Sequence, residues 1–379
     1  MNFDDPISRQ GTHALKYEAR QRLFGSASVQ PLWVADMDFA APPAVVEALE
    51  SRARHPIYGY TEQDAELFHV QVSWCQHRHG WSPDEIHMML VPGVVPSLYA
   101  AVAAFTQPGD AVIIQPPVYP PFFSAIAEQE RRVLENPLCC VDGRYVMDLD
   151  HFEVCARQAR LFLLCSPHNP VGRVWSDVEL HALLAICERH DVLVLADEIH
   201  ADLLLGGTRH TPLAKLAPHR VITAIAPSKT FNIPGLGLST LVAANAMHRQ
   251  QLQKVFDHWH VSVYNPFSQT AFIAAYQHGE AWLDALLSYL VNSRDLVLAR
   301  LGEVVPTVRS TCPEATYLLW LDFSALGWSD KELQQRLVKV GLGLNPGPSF
   351  GQGGQGHMRL NFAAPRYQVM DAINLLSKL

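Results

Sequence analysis

The residue whose type and position best suit it for chemistry is Lys229, one of only seven lysines in the chain. It lies a few residues after the apolar run Val221 to Ile225, in the sequence Ala-Pro-Ser-Lys-Thr. A lysine at the carboxyl end of a buried strand is partly desolvated, which lowers its pKa and makes the amine a nucleophile toward carbonyl groups. A surface lysine that extends from a loop into water is the alternative, and for this residue taken alone it is the more common one.

Two other apolar runs are also followed by polar side chains. Asp197 comes after the run Val192 to Ala196, and a carboxylate there could keep a pyridine-type ring nitrogen protonated. Asn169 follows the run Leu161 to Cys165, and its amide could bond an oxygen on such a ring. Taken singly, a helix-capping aspartate and an Asn-Pro turn are common alternatives.

A fourth segment could hold a phosphate group. Gly93 follows the run Met88 to Val91 and stands at the expected start of a helix, whose backbone N–H groups and dipole attract anions. Four chemically suitable segments at four strand ends are explained more economically by one site than by four unrelated coincidences. The sequence therefore predicts one site for a phosphorylated ring cofactor.

The elements that must position these residues are short apolar runs alternating with helix-like segments between about residues 86 and 245. Runs without alternating polar residues are typical of strands buried on both faces, and strand–helix alternation favours a mostly parallel, doubly wound α/β sheet. In such sheets ligands bind outside the carboxyl ends of the strands. The seven predicted strands are Met88 to Val91, Ala111 to Gln115, Arg132 to Leu134, Leu161 to Cys165, Val192 to Ala196, Val221 to Ile225 and Thr240 to Ala243.

The last third of the chain predicts a second, smaller α/β lobe. A long helical region from about Gly279 to Leu301 is followed by an apolar run from Thr316 to Asp322 and another from Met358 to Phe362. We expect a large cofactor-binding domain at residues 41–284 and a small domain formed by residues 1–40 and 285–379, since chain termini tend to lie together.

A glycine-rich segment, Gly351 to Gly356, matches the Gly-x-Gly-x-x-Gly pattern of dinucleotide sites. It does not join a first strand to a helix, which that kind of site requires. We interpret it as a flexible loop that helps position Arg359.

Composition excludes several classes of protein. The net charge of -8 and the absence of long basic runs argue against nucleic-acid binding, and no apolar stretch approaches membrane-spanning length. The polar start of the chain lacks a secretion signal, so we expect a cytoplasmic protein. The seven cysteines are interpreted as small core residues, and the eighteen histidines lack the spacing of a zinc hydrolase, so no metal site is expected.

The order of these motifs resembles the fold-type I pyridoxal-phosphate enzymes, the aspartate aminotransferase superfamily of class I/II. Three segments, Pro31 to Phe39, Ile57 to Tyr60 and Ser228 to Pro234, are more narrowly similar to the MalY/PatB branch of cysteine C–S β-lyases, also called cystathionine β-lyases. The resemblance runs from about Arg9 to Arg366. It implies a large domain with a mostly parallel seven-stranded sheet and pyridoxal 5'-phosphate as cofactor.

The resemblance also implies roles for individual residues. Lys229 would form the Schiff base, Asp197 would pair with the pyridine nitrogen, and Asn169 would bind the phenolic oxygen. Tyr119 would stack on the ring, and Tyr60 would reach the phosphate of a neighbouring subunit's cofactor, which makes the active unit a homodimer with a shared site.

Further implied contacts concern the phosphate and the substrate. Backbone N–H groups of Val94 and Val95, together with Ser228, would bind the phosphate. Arg359 would bind the substrate carboxylate through its planar guanidinium, alongside Asn169 and Ala35.

Two positions depart from the family pattern. Many relatives carry a serine three residues before the lysine and a cation eight residues after it, where this chain has Ala226 and Gly237. Phosphate binding must therefore depend on the helix N-terminus, Ser228 and Tyr60.

The resemblance implies elimination of a thiol from a small sulfur-containing amino acid, such as cystathionine, cysteine or an S-conjugate. Lys229 would take the α-proton, and the products would be a thiol, pyruvate and ammonia. Class I/II transamination is the first alternative, because it begins with the same proton transfer. A regulatory protein that keeps the cofactor pocket and binds a transcription factor is the second.

Overall fold

A computed structural model describes all residues from 1 to 379. Its strands are β1 Gln30–Pro31, β2 Met88–Val91, β3 Ala111–Ile114, β4 Arg132–Glu135, β5 Cys139–Val141, β6 Arg144–Val146, β7 Ala159–Cys165, β8 Leu193–Asp197, β9 Val221–Ile225, β10 Ser239–Ala243, β11 Arg309–Ser310, β12 Leu318–Asp322, β13 Leu342–Gly343, β14 Asn345–Pro346 and β15 His357–Asn361.

The helices pack around and between these strands. They are α1 Leu15–Glu18, α2 Arg20–Phe24, α3 Pro43–Arg54, α4 Glu66–His79, α5 Val94–Phe105, α6 Pro121–Ala127, α7 Leu149–Ala156, α8 Asp177–Arg189, α9 Leu213–Leu216, α10 Pro227–Thr230, α11 Ala246–His258, α12 Pro266–His278, α13 Glu280–Val304, α14 Asp330–Lys339 and α15 Arg366–Leu376.

The central element is a seven-stranded sheet in the order β2-β10-β9-β8-β7-β3-β4. Every strand pair is parallel except the two made by β10, which runs antiparallel to β2 and β9. Every residue of β3, β9 and β10 is buried, which is why these runs carry no alternating polar residues. The predicted mostly parallel α/β sheet of seven strands is confirmed.

The register of the sheet brings the strand ends together. Cys165 at the end of β7 pairs with Asp197 at the end of β8, and Asp197 pairs in turn with Ala224 of β9. Segments that leave these three strands therefore emerge side by side at one edge. This register places the segments that carry Asn169 and Lys229 next to Asp197.

A second sheet, in the order β11-β12-β15-β14, is antiparallel throughout and lies in the last third of the chain. The start of the chain contacts this region through β1, which pairs in parallel with β13. Asn361 N also donates to Leu32 O at 2.8 Å. The exact domain boundaries stay a prediction.

The interpretation of all seven cysteines as core residues is wrong for three of them. Cys75, Cys155, Cys165 and Cys187 are buried, but the other three are exposed. Cys139 and Cys140 lie on the hairpin β5–β6, which forms a separate two-stranded sheet outside the central one. Cys312 follows the short edge strand β11 and is likewise exposed.

No helix has the combination of length and apolar character that crossing a membrane requires. No group of three or more histidine, cysteine, aspartate or glutamate side chains is arranged to hold a metal ion.

Candidate active site

A cavity of about 320 Å³ lies at the carboxyl edge of the central sheet. It collects nine of the ten predicted site residues, which are Lys229, Asp197, Asn169, Tyr119, Arg359, Ser228, Val94, Val95 and Ala35. The tenth, Tyr60, lies elsewhere. A larger depression of about 1190 Å³ is lined by a different set of residues, including Arg78 and His210, and contains none of the ten.

Lys229 enters the cavity from the short helix α10, which follows β9. Its ammonium donates a hydrogen bond to the carbonyl oxygen of Ala35 at 2.6 Å. Burial and, to a lesser extent, the positive charge of Arg359 lower the pKa of Lys229 to about 8, against the opposing effects of Asp36 and Asp197. A lysine with a pKa in this range exposes a neutral, nucleophilic amine at mildly alkaline pH.

Asp197 stands at the end of β8 and is buried. The backbone N–H of Ile199 donates to Asp197 Oδ1 at 3.1 Å, and the Asp197 carboxylate makes no other hydrogen bond within the chain. Burial raises the pKa of Asp197 to about 7, aided by the charge of Glu198 and opposed by the Ile199 bond and by Lys229. Such a carboxyl has unused capacity to accept a hydrogen bond from a cationic ring nitrogen.

Arg359, in the middle of β15, carries a buried guanidinium that faces the cavity. It donates to Asn169 Oδ1 and to the carbonyl oxygen of Trp33, each at 3.0 Å, while its Nε has no partner. Burial lowers the pKa of Arg359 to about 10, and no carboxylate of the chain forms a salt bridge with it. A buried cation without a counter-ion is costly, so this group is suited to receive a carboxylate from a ligand.

The opposite part of the cavity is formed by the start of α5. Val94 and Val95 are its first two residues, and N–H groups in the first turn of a helix have no partner within the helix. Pro96 offers no N–H, and the Ser97 hydroxyl donates to Gly93 O at 2.8 Å. The arrangement leaves two backbone donors and a helix N-terminus for an anion.

A side chain at position 237 would be sterically hindered in this structure. A Cβ at this position would lie 3.0 Å from the carbonyl oxygen of Pro92, closer than side chains ordinarily approach backbone. A cation attached at position 237 would therefore require the segment before Gly93 to move. Ser228, which also lines the cavity, remains available to the anion.

The two predicted tyrosines are placed differently. Tyr119 lines the cavity and is partly buried, and burial raises the pKa of its phenol, which therefore stays neutral. Tyr60 is fully exposed and makes no contact with the cavity of its own chain. Its predicted role requires a second subunit and stays a prediction.

Trp33, Val34 and Ala35 line the cavity, and the sequence did not predict what holds their segment, residues 33–39, in place. Its carbonyl groups accept hydrogen bonds from side chains of later elements. These bonds are Tyr317 Oη to Ala35 O at 2.9 Å, Asn361 Nδ2 to Val34 O at 2.7 Å and to Asp36 O at 2.6 Å, and Asn232 Nδ2 to Met37 O at 3.1 Å and to Phe39 O at 2.8 Å.

His200 is another cavity residue that the sequence reasoning missed. It lies three residues after Asp197, and its buried Nδ1 has no hydrogen-bond partner. Burial, together with the charges of Lys229 and Arg359, lowers the pKa of His200 to about 3, so the imidazole is neutral. Its position in the sequence Asp-Glu-Ile-His was the only available signal.

Comparison with known proteins agrees with this geometry. Residues 29–374 match the family of class I and II aminotransferases, and the chain belongs to that family. It is 43% identical to the cystathionine β-lyase PatB of Bacillus subtilis, with 98% of both chains covered. It is 32% identical to the protein MalY of Escherichia coli, over 97% of this chain and 96% of the other.

A solved structure is similarly close. Cystalysin of Treponema denticola, which contains pyridoxal 5'-phosphate, superimposes with a TM-score of 0.96 at 34% identity, with 100% of this chain and 98% of the other covered. The predicted family, its MalY/PatB-like branch and the cofactor pyridoxal 5'-phosphate are confirmed.

The residues present fit this cofactor. The buried Asp197 has unused accepting capacity for the ring nitrogen, the amide nitrogen of Asn169 has no partner within the chain, and the start of α5 offers backbone donors to a phosphate. Lys229 Nζ lies in the same cavity as these groups.

The raised pKa of Asp197 makes the cofactor-free protein sensitive to pH. The folded state holds this proton more tightly than the unfolded chain, so its contribution to stability falls as pH rises from the ordinary value of 3.8 to about 7. We expect the variant Asp197→Asn to be more stable than the wild type at pH 8, by about 2–4 kcal/mol, with a smaller difference at pH 5. Urea unfolding of both cofactor-free proteins at the two pH values measures this.

The matched control is Asp371→Asn, at an exposed aspartate without a side-chain hydrogen bond. We expect that variant to change the free energy of unfolding equally at both pH values. An Asp197→Asn effect that is the same at pH 5 and pH 8 would show that this carboxyl does not titrate as described.

Proposed function

We propose that this chain is a pyridoxal-phosphate-dependent C–S β-lyase, which cleaves cystathionine, cysteine or a related S-conjugate to a thiol, pyruvate and ammonia. The observation that carries the proposal is the buried Arg359, which lacks a carboxylate partner and faces the same cavity as Lys229. A free amino acid supplies both a carboxylate for the arginine and an amine for chemistry at the cofactor. The 43% identity to PatB, a cystathionine β-lyase, supports elimination at sulfur.

Arg359 binds and orients the substrate. Its Nε is the donor left without a partner, so a carboxylate can take that bond and share a second guanidinium nitrogen. Asn169 and Trp33 hold the guanidinium plane in place through its other two nitrogens. Orientation of the carboxylate fixes the α-carbon relative to Lys229, which lowers the entropic part of the barrier.

Lys229 moves the α-proton. When bound, the cofactor supplies an electron-poor ring that withdraws charge from the substrate α-carbon, and Asp197 keeps its ring nitrogen protonated. Lys229 Nζ accepts the proton from that carbon, the C–H electron pair forms the Cα–Cβ double bond, and the Cβ–S pair leaves with sulfur, which takes up a proton to become the thiol. One water is consumed overall, and the nitrogen leaves as ammonia.

Transamination begins with the same proton transfer but returns the proton to a cofactor carbon and needs a keto-acid acceptor. The two reactions therefore differ in their dependence on an acceptor and in whether a thiol is released. Both differences can be measured directly.

We further propose that the active unit is a homodimer in which Tyr60 completes the neighbouring site. Tyr60 lies in an exposed segment with two other exposed apolar side chains, Ile57 and Tyr58. Tyr264, two residues before α12 begins, is also exposed. Apolar surface of this kind is typical of contacts between subunits.

The purified enzyme with cystathionine is expected to release pyruvate and free thiol in equal amounts without any keto acid. Lys229→Ala should lower this rate by at least about 1000-fold, since it removes the group that accepts the α-proton. Lactate dehydrogenase coupling measures pyruvate, and a disulfide reagent measures thiol. Amino-group transfer to an added keto acid without thiol release would overturn the lyase proposal in favour of transamination.

The matched control is Lys254→Ala on α11, outside the cavity, which should leave the rate within about twofold.

Arg359→Lys should raise KM more than it lowers kcat, because a lysine cannot make the paired contact with a carboxylate. A fall in kcat with unchanged KM would contradict the assignment of Arg359 to carboxylate binding.

Hybrid dimers test the shared site. Lys229→Ala and Tyr60→Ala each damage every site of their own dimers. A mixed dimer has one of its two sites with both residues intact, so the isolated mixed dimer should show about half of the wild-type activity. Co-expression with two affinity tags, followed by assay of the doubly tagged species, measures this. Activity no higher than that of the single variants would place Tyr60 outside the neighbouring site.

A further inference from the structure

We propose that Thr230 and Asp202 form a positioning pair that fixes the orientation of Lys229 in the cavity. Thr230 directly follows Lys229 and ends the short helix α10. Its hydroxyl donates to Asp202 Oδ2 at 2.9 Å, and both residues are buried. The proposal rests on the role of Lys229 stated above.

Asp202 is itself held rigidly. Its Oδ1 accepts from Trp74 Nε1 and bonds with His79 Nε2, each at 2.9 Å. Both donors belong to the last two turns of α4. Hydrogen bonding and the charge of His79 outweigh burial and keep the pKa of Asp202 below its ordinary value, so the carboxylate is ionised. Thr230 therefore donates to an anchored, charged acceptor. A hydrogen bond to a charged acceptor is stronger than one to a neutral acceptor.

A second anchor acts on the other side of α10. The amide of Asn232 accepts from Met37 N at 2.9 Å and donates to the carbonyl oxygens of Met37 and Phe39. Asn232 has a positive φ of 55°, which fixes the direction of the chain after the helix. Thr230 thus ties α10 to Asp202 and α4, while Asn232 ties it to the segment whose Ala35 carbonyl bonds Lys229.

These contacts matter because α10 has only four residues. A helix this short has little stability of its own, so its orientation depends on side-chain contacts. Rotation of α10 would move Lys229 Nζ relative to Asp197 and Arg359, and a displacement of about 1 Å can lower a rate about 100-fold. Neither Thr230 nor Asp202 lines the cavity, so both act through Lys229.

The test is Thr230→Val, which keeps the shape of the side chain and removes the hydroxyl. We expect kcat for thiol release to fall about tenfold with KM within about twofold, because substrate binding at Arg359 is unchanged. Addition of pyridoxal phosphate to the cofactor-free variant should also develop the visible absorption band about five- to tenfold more slowly, since Lys229 is less well placed to react. Thr230→Ser keeps the hydroxyl and should restore both values to within about twofold.

Thr223→Val is the matched control. Thr223 is buried on β9, outside the cavity, and its hydroxyl has no hydrogen-bond partner, so the same substitution should leave both readouts within about twofold. If Thr230→Val behaves like Thr223→Val, the proposal is overturned. The same holds if Thr230→Ser loses as much as Thr230→Val, because the hydroxyl would then not be the cause.

Asp202→Asn provides a second variant at the other end of the bond. It should slow colour formation in the same direction, and the double variant should lose less than the product of the two single effects, because both remove one interaction. Independent, multiplicative effects would contradict the pair.

Failure of the proposed function is seen separately, as a wild-type enzyme that releases no thiol or a Lys229→Ala variant that still develops the band.

Discussion

The structure depends on an electrostatic constraint: two cations, Lys229 and Arg359, share a buried cavity of about 320 Å³ with a single acid, Asp197. None of the three is neutralised by a close salt bridge within the chain. Lys229 and Asp197 shift each other's pKa, Arg359 lowers that of Lys229, and burial pushes all three groups toward their neutral forms. Such an arrangement costs stability in the isolated chain, and a ligand with complementary charges can recover that cost.

The fold maintains this constraint by joining elements that are distant in sequence. The register of β7, β8 and β9 fixes the carboxyl edge of the central sheet. Trp33, Val34 and Ala35 bring an early part of the chain to the cavity, and carbonyl groups of residues 33–39 accept hydrogen bonds from side chains in three later parts of the chain. The cavity is therefore a product of tertiary contacts, and no single motif builds it.

The sequence predicted the central sheet well because its strands are buried on both faces and read as uninterrupted apolar runs. Val221–Ile225 and Met88–Val91 have the bounds that were expected. Lys229, Asp197 and Asn169 could be found because each follows such a run.

Other features have no local signal. The side chains of Tyr317 and Asn361 donate to backbone carbonyl groups that lie 282 and 327 positions earlier in the chain. The hydrogen bond from Thr230 to Asp202 likewise forms only when the chain folds. The exposure of Cys139 and Cys140 was missed because a short apolar hairpin cannot be distinguished from a core strand by composition. Only the structure shows the long-range hydrogen bonds and the close approach of Gly237 to Pro92 O.

The central claim is that the cofactor is linked to the chain at one residue, Lys229. Reduction of the holoenzyme with borohydride converts an imine between an amine and the cofactor into a stable bond, and mass spectrometry of the peptides then locates it. We expect the added mass on Lys229 alone among the seven lysines. Added mass on any of the other six, with Lys229 unmodified, would contradict it.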